Sequence, residues 1–290
     1  MEIRRRIGIL LKARSVGEYS SGHMGAQILR FRRIDDDSPL VVKFTPYHDA
    51  SAIVHLEDNI HGYHEIRSLG GSELLPMELQ EILLSEGRAL VMRDLGYSMR
   101  HIDGGIQACD LFWQYLRRVI GQTAVLSGTS GFQTPPFVQE VTRHIERFSH
   151  GAVPQILRMM RSSQWTGTCG KVAIMLLDFT PNNLFADESG LHFIDPWSQK
   201  TYLGHPSVSI GQFTTLMQLG GMKEAEAATL MIKKRCWEDL PAILGCDFLS
   251  IEQAFRLGAT LQLVLSSYVR QESEPARAER YLTSALNLWC

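Results

Sequence analysis

Leu177-Asp178-Phe179-Thr180-Pro181-Asn182-Asn183-Leu184-Phe185, with Phe193-Ile194-Asp195-Pro196-Trp197 shortly after it, is the stretch that decides how this 290-residue chain is read. The apolar run Val172 to Leu177 leads into Asp178. Two hydrophobic segments then flank Ala186-Asp187-Glu188-Ser189-Gly190, which predicts a hairpin turn. This pattern sets three oxygen-bearing side chains, Asp178, Asn183 and Asp195, at the ends of short strands facing one site. Asp and Asn oxygens are hard ligands that suit Mg²⁺ bound to phosphate. A lone Asp beside a substrate hydroxyl can orient or accept its proton.

Composition bounds the rest. Hydrophobic residues make up 44% and charged residues 21%, which predicts an ordinary globular chain. A net charge of −2 gives no global pull toward nucleic acid or an anionic membrane. The apolar Ile7 to Leu11 is cut short by Lys12, too soon for a signal-peptide core, and no apolar run approaches a bilayer span. The five cysteines (109, 169, 236, 246 and 290) are scattered without CxxC spacing. A reducing cytoplasm is expected, with neither a zinc site nor a disulfide framework.

Residues 7–33 read as helix or strand, then strand, loop, strand. The loop holds Gly17, Ser21, Gly22 and Gly25, and glycines there allow backbone N–H groups to approach phosphates closely. Gly17 and Gly22 have the glycine spacing of a P-loop, but His23-Met24 stand where Lys and Ser/Thr are required, so that reading fails. Leu40 to Phe44 reads as a short buried strand carrying Lys43, which either snorkels to solvent or reaches a ligand. His61 to Leu69, ended by Gly70-Gly71, reads as a helix bearing Glu65. Residues 79–84 and 88–93 read as two strands, the second running into Asp94-Leu95. Residues 106–165 and 210–289 read as mostly helical.

Taken in order, these parts resemble the aminoglycoside phosphotransferase-like branch of the protein-kinase-like fold. The interval from Asp178 to Asn183 matches that family's catalytic loop, and Ile194-Asp195 its metal-binding Asp. Leu176-Leu177 replace the family's His-Gly, and Ser209 stands where an Asp braces the loop. The resemblance spans residues 15–209. It implies an α+β, bilobal fold: a small five-stranded antiparallel N-lobe with one helix at residues 1–94, and a larger, mainly helical C-lobe at 95–290.

It further implies an ATP- and Mg²⁺-dependent phosphotransferase acting on a small-molecule hydroxyl. Asp178 would be the base, and Asn183 and Asp195 the metal ligands. Lys43, held by Glu65 or in its stead Glu57, would bind the α/β-phosphates, with Ser21 and Gly22 over them. Met92 would line the base pocket, and the backbone at Asp94 and Leu95 would read the adenine edge. Residues 199–290 carry equal numbers of acidic and basic side chains and 106–165 are net basic, which points away from a polycationic acceptor and toward a neutral or weakly charged metabolite or antibiotic. Two other readings remain at this stage, a nucleotide-binding pseudokinase and a protein Ser/Thr kinase.

Overall fold

The computed structural model describes residues 2–19, 25–96, 105–126, 142–143, 146, 151, 153–162, 170–176, 179–187, 190–196, 201–221 and 224–289. Ser21, Gly22 and Asp178 lie outside them. The N-terminal part is an antiparallel sheet of order β1-β2-β3-β5-β4. Its strands are β1 (Ala13–Glu18), β2 (Gln27–Arg33), β3 (Pro39–Pro46), β4 (Gln80–Leu83) and β5 (Gly87–Arg93). The five strands agree with the sequence reading. A single helix was expected beside them, and there are two, α1 (Glu2–Leu11) and α2 (Ala50–Ser68).

The sheet has two covered faces because β3 alternates. Leu40, Val42 and Phe44 are fully buried on one face, in a cluster with Leu29, Phe31, Val91 and, from α1, Ile7 and Leu11. Val41 and Lys43 therefore point to the opposite face, toward α2 and the remainder of the chain. The helix predicted at His61–Leu69 in fact begins at Ala50, where the Asp49 carboxylate accepts the Ala52 N–H at 3.0 Å. Ala52, Leu56, Ile60 and Tyr63 are its buried apolar positions at helical spacing. Gly25, at φ +79°, leads from the glycine loop into β2, and a Cβ there would lie 2.4 Å from an Asp49 oxygen. A side chain at this position would displace the Asp49 carboxylate that caps α2.

The rest of the chain is mainly helical. Among the described residues it contains α3 (Gly105–Thr123), α4 (Val153–Ser162), α5 (Ser207–Leu219), α6 (Ala225–Leu244), α7 (Phe248–Arg270) and α8 (Pro275–Asn287). A three-stranded sheet, β10-β7-β6, comprises β6 (Val125–Leu126), β7 (Lys171–Leu176) and β10 (Thr201–Gly204). The predicted hairpin is β8 (Leu184–Asp187) paired with β9 (Gly190–Phe193), with Leu184 opposite Phe193. No described helix is long and apolar enough to cross a membrane.

Two contacts fix this part. Phe179, the residue after Asp178, is buried among Phe112, Phe193 and Phe213, with centroids 5.3–5.6 Å away. Helices α5 and α7 meet backbone to backbone: a Cβ on Gly211 would sit 2.0 Å from the Phe255 carbonyl oxygen, and one on Gly258 would sit 1.9 Å from that of Val208.

Replacing Gly258 by Ala must push these helices apart. We expect a loss of about 3 kcal/mol or more, a Tm lower by roughly 6–12 °C in thermal unfolding. Gly121→Ala, in α3 with nothing within 4 Å of its Cβ, should leave Tm unchanged or slightly raised.

Candidate active site

Lys43 reaches across from β3 to the end of the β8–β9 hairpin. Its Nζ donates to Asp195 Oδ1 at 3.0 Å and to Asn59 Oδ1 at 2.7 Å, and its side chain is only 13% exposed. Asn59 in turn donates from Nδ2 to the Pro196 carbonyl at 3.1 Å. The Asp195 N–H donates to the Tyr63 hydroxyl at 3.0 Å. Burial, and secondarily the Asp195 carboxylate, push the Tyr63 phenol well above its ordinary range, so it remains protonated. One helix, α2, thus grips Lys43, Asp195 and Pro196 through Asn59 and Tyr63. Asp195 has φ +53°, in the left-handed region that costs a non-glycine residue roughly 1 kcal/mol or more. Strain of this kind persists where neighbours over-determine the backbone, as the Tyr63 and Asn59 bonds do here.

The hairpin sets the second half of the site. Pro181–Asn183 forms a short 3₁₀ turn, closed by Asn183 N–H to the Thr180 carbonyl at 3.0 Å, and β8 starts at the next residue. On the other strand, Ile194 N–H donates to the Asn183 carbonyl at 2.8 Å. Asn183 and Asp195 therefore emerge from the same hairpin end, one register step apart. Among the described residues no three His, Cys, Asp or Glu side chains gather into a metal site. An Asn and an Asp at one end of a hairpin are a sparse, hard donor set. That set fits Mg²⁺, which keeps water and phosphate oxygens in its shell, and does not fit zinc.

Glu65 does not do what was expected of it. It is exposed on α2 and does not pair with Lys43. Its carboxyl is held above the usual glutamate range, by partial burial first and by Asp58 second, the reverse of what an ion pair with Lys43 would do. The reason is helical phase: six residues separate Glu65 from Asn59, a rotation of about 240° to another face. Glu57, the fallback, pairs with Arg88. Asn59 lies before the helix start expected at His61 and carries no charge, so neither its place nor its charge marks it in the sequence.

The strand after the glycine loop and the segment after β5 are joined by Asp94. Its carboxylate accepts from the Tyr19 hydroxyl at 3.1 Å, Arg30 Nε at 3.1 Å and the Gly96 N–H at 3.0 Å. Its own N–H donates to the Pro39 carbonyl at 2.9 Å, within the sheet. Met92 and Leu95 are buried, Met92 within the core cluster that also holds Leu90 and Tyr63. At the position where the sequence departs from the family's bracing Asp, Ser209 Oγ accepts the Leu176 N–H at 2.8 Å, so a buried hydroxyl holds the end of β7.

Asn59→Ala should release Lys43 and leave the Pro196 carbonyl unpaired. Loss of one hydrogen bond to a charged group, about 1.5–3 kcal/mol, predicts nucleotide binding weakened roughly tenfold or more by calorimetry. Glu65→Ala, measured alongside, should bind as the wild type does.

No sequence-family profile matches the chain, and no curated protein matches it. Solved structures do. An aminoglycoside phosphotransferase from Alicyclobacillus acidocaldarius superposes with a TM-score of 0.56 at 8% identity, over 94% of this chain and 91% of that one. The ethanolamine kinase of Plasmodium vivax gives 0.54 at 9% identity, over 94% and 81%. Spectinomycin phosphotransferase, solved with ADP and spectinomycin, gives 0.52 at 12% identity, over 98% and 96%. The five-stranded sheet, the hairpin site and the helical remainder thus make up the bilobal protein-kinase-like fold, in the form that these small-molecule phosphotransferases share.

Proposed function

We propose that this chain is an ATP-dependent phosphotransferase that moves the γ-phosphoryl group to a hydroxyl of a small molecule. The observation that carries the reading is the Lys43–Asp195 contact, made between the strand lysine and the residue that ends the hairpin begun by Asn183. A cation, a carboxylate and an amide oxygen converge there, in a fold whose solved relatives include kinases of small alcohols. The lobes divide at about Asp94, and nucleotide lies between them.

Phosphoryl transfer needs positioning and charge stabilisation more than covalent chemistry. Lys43, oriented by Asn59, binds the α/β-phosphates. The backbone at Ser21 and Gly22 covers the phosphates, Met92 lines the base pocket, and the backbone at Leu95 meets the base edge. Asn183 and Asp195 would hold Mg²⁺, which would supply positive charge against the phosphates. Asp178 orients the acceptor hydroxyl and takes its proton as the acceptor oxygen bonds to the γ-phosphorus. The bond from that phosphorus to the β,γ-bridging oxygen breaks, and ADP leaves. Lys43 and Asp195 neutralise each other in the present structure, so nucleotide must part them, and the partners waiting are phosphate for one and metal for the other.

The test is Mg²⁺-dependent ATP consumption by the purified chain across hydroxylated antibiotics, nucleosides, sugars and amino alcohols. One compound should stimulate turnover, and Asp195→Ala should reduce it by about 10²-fold or more. Tight Mg·ATP binding without turnover for any compound would point instead to a nucleotide-binding protein that does not transfer. Full activity in Asp178→Asn would overturn the base assignment.

A further inference from the structure

A cavity of about 300 Å³ opens between the 3₁₀ turn that precedes β8 and helices α5 and α7. Thr180 and Asn182 line it on the turn side, and Gln262, Ser266 and Arg270 line it from α7. Its other described lining residues are apolar or glycine. Thr180 is two residues from Asp178 in the chain, so the cavity adjoins the catalytic loop.

The charge of this wall has one sign. No described lining residue is Asp, Glu, His or Lys, and Arg270 is the single charged one. Its charge is compensated only in part: Arg270 Nε lies 3.6 Å from Glu274 Oε1, Nη1 donates to the Ser266 backbone carbonyl at 3.3 Å and the guanidinium lies 5.7 Å from the Tyr281 ring centroid, while the other Glu274 oxygen takes Arg277 Nη1 at 3.0 Å. Two guanidinium groups therefore share one carboxylate. The neutral part of the wall is fixed by a buried relay. Gln212 Nε2 donates to Gln262 Oε1 at 3.0 Å, and Gln262 Nε2 donates to Ser266 Oγ at 3.1 Å. With its oxygen accepting, the Ser266 hydroxyl presents its proton as a donor. A guanidinium and a hydroxyl donor one helical turn apart match an oxyanion. An ammonium group would meet Arg270 with no carboxylate among the described lining residues to pair it, and like-charge juxtaposition of this kind disfavours wrong partners.

We infer that this cavity takes the acceptor, and that the acceptor carries a carboxylate or phosphate group held by Arg270 beside the hydroxyl to be modified. The inference rests on the phosphotransferase reading and adds the substrate class to it: hydroxyl-bearing anions, with polycations excluded.

Calorimetry on the full chain tests it, with ADP and Mg²⁺ titrated first. The acceptor probes are then glucuronate for a carboxylate, glucose 6-phosphate for a phosphate, glucose as the neutral control and kanamycin as the polycation. At least one anionic probe should bind about tenfold or more tightly than glucose, and kanamycin should bind no better than glucose. Which anion is preferred separates the carboxylate from the phosphate. Arg270→Gln should weaken the preferred anion about tenfold and leave ADP binding unchanged. Val269→Glu, at a lining position that is 72% exposed and so tolerant of change, should do the same by adding the opposite charge. ADP binding together with a preference for kanamycin, no binding of either anion, or equal anion affinity in both variants would overturn this inference alone. Failure of the wild-type chain to bind ADP would overturn the phosphotransferase reading and this inference with it.

Discussion

The bond between Lys43 and Asp195 is the constraint around which the two lobes are arranged. It spans 152 residues of sequence and ties the middle strand of the N-terminal sheet to the end of a hairpin in the other lobe. Lys43 is largely buried while Asp195 is 35% exposed, so water screens the attraction and the lysine loses hydration, and the pair gives little stability by itself. What it fixes is geometry. Asn59 and Tyr63 hold the same two residues from α2, and the neutral Asn59 leaves the lysine's charge to be balanced by Asp195. A carboxylate at that helix position would compete with Asp195 for the lysine. An amide orients the ammonium without competing, so both charged ends remain ready for a ligand of opposite sign.

The packing of the helical lobe explains why the hairpin end is a reliable platform. Phe179 anchors the segment before the 3₁₀ turn in an aromatic cluster, Ser209 holds the strand that precedes it, and the Leu184–Phe193 pair closes the hairpin behind it. These are short-range, well-packed contacts, and such contacts hold functional groups to the tolerances that phosphoryl transfer requires. The close approach of α5 and α7 at Gly211 and Gly258 sets the spacing between helices that also form a wall of the acceptor cavity. Fold stability and acceptor shape therefore depend on the same two glycines.

Much of this was legible in the sequence, and the exceptions share a cause. The hairpin announced itself by a polar turn between apolar runs, and the sheet by alternation and turn residues. Lys43 was legible because a lone lysine interrupts a buried strand. What could not be read was rotation. Which residue of α2 faces Lys43 depends on where the helix starts and on its phase, and the start was placed at His61 instead of Ala50. That displaced attention to Glu65, on another face, and away from Asn59. Asp94 is a related case: its neighbours in space, Pro39, Tyr19 and Arg30, lie far from it in sequence and engage its N–H and its carboxylate. Ser21, Gly22 and Asp178 lie outside the described residues, and their roles rest on the sequence alone.

The central claim is that the phosphates of a nucleotide lie against Lys43. An acyl-phosphate derivative of ATP, which transfers its acyl group to whichever lysine amine lies beside the phosphates, tests this directly. Incubation with Mg²⁺ followed by peptide mass spectrometry should find the label on Lys43, and excess unmodified ATP should abolish it. Labelling that spares Lys43, or that persists on it undiminished in excess ATP, would contradict the account.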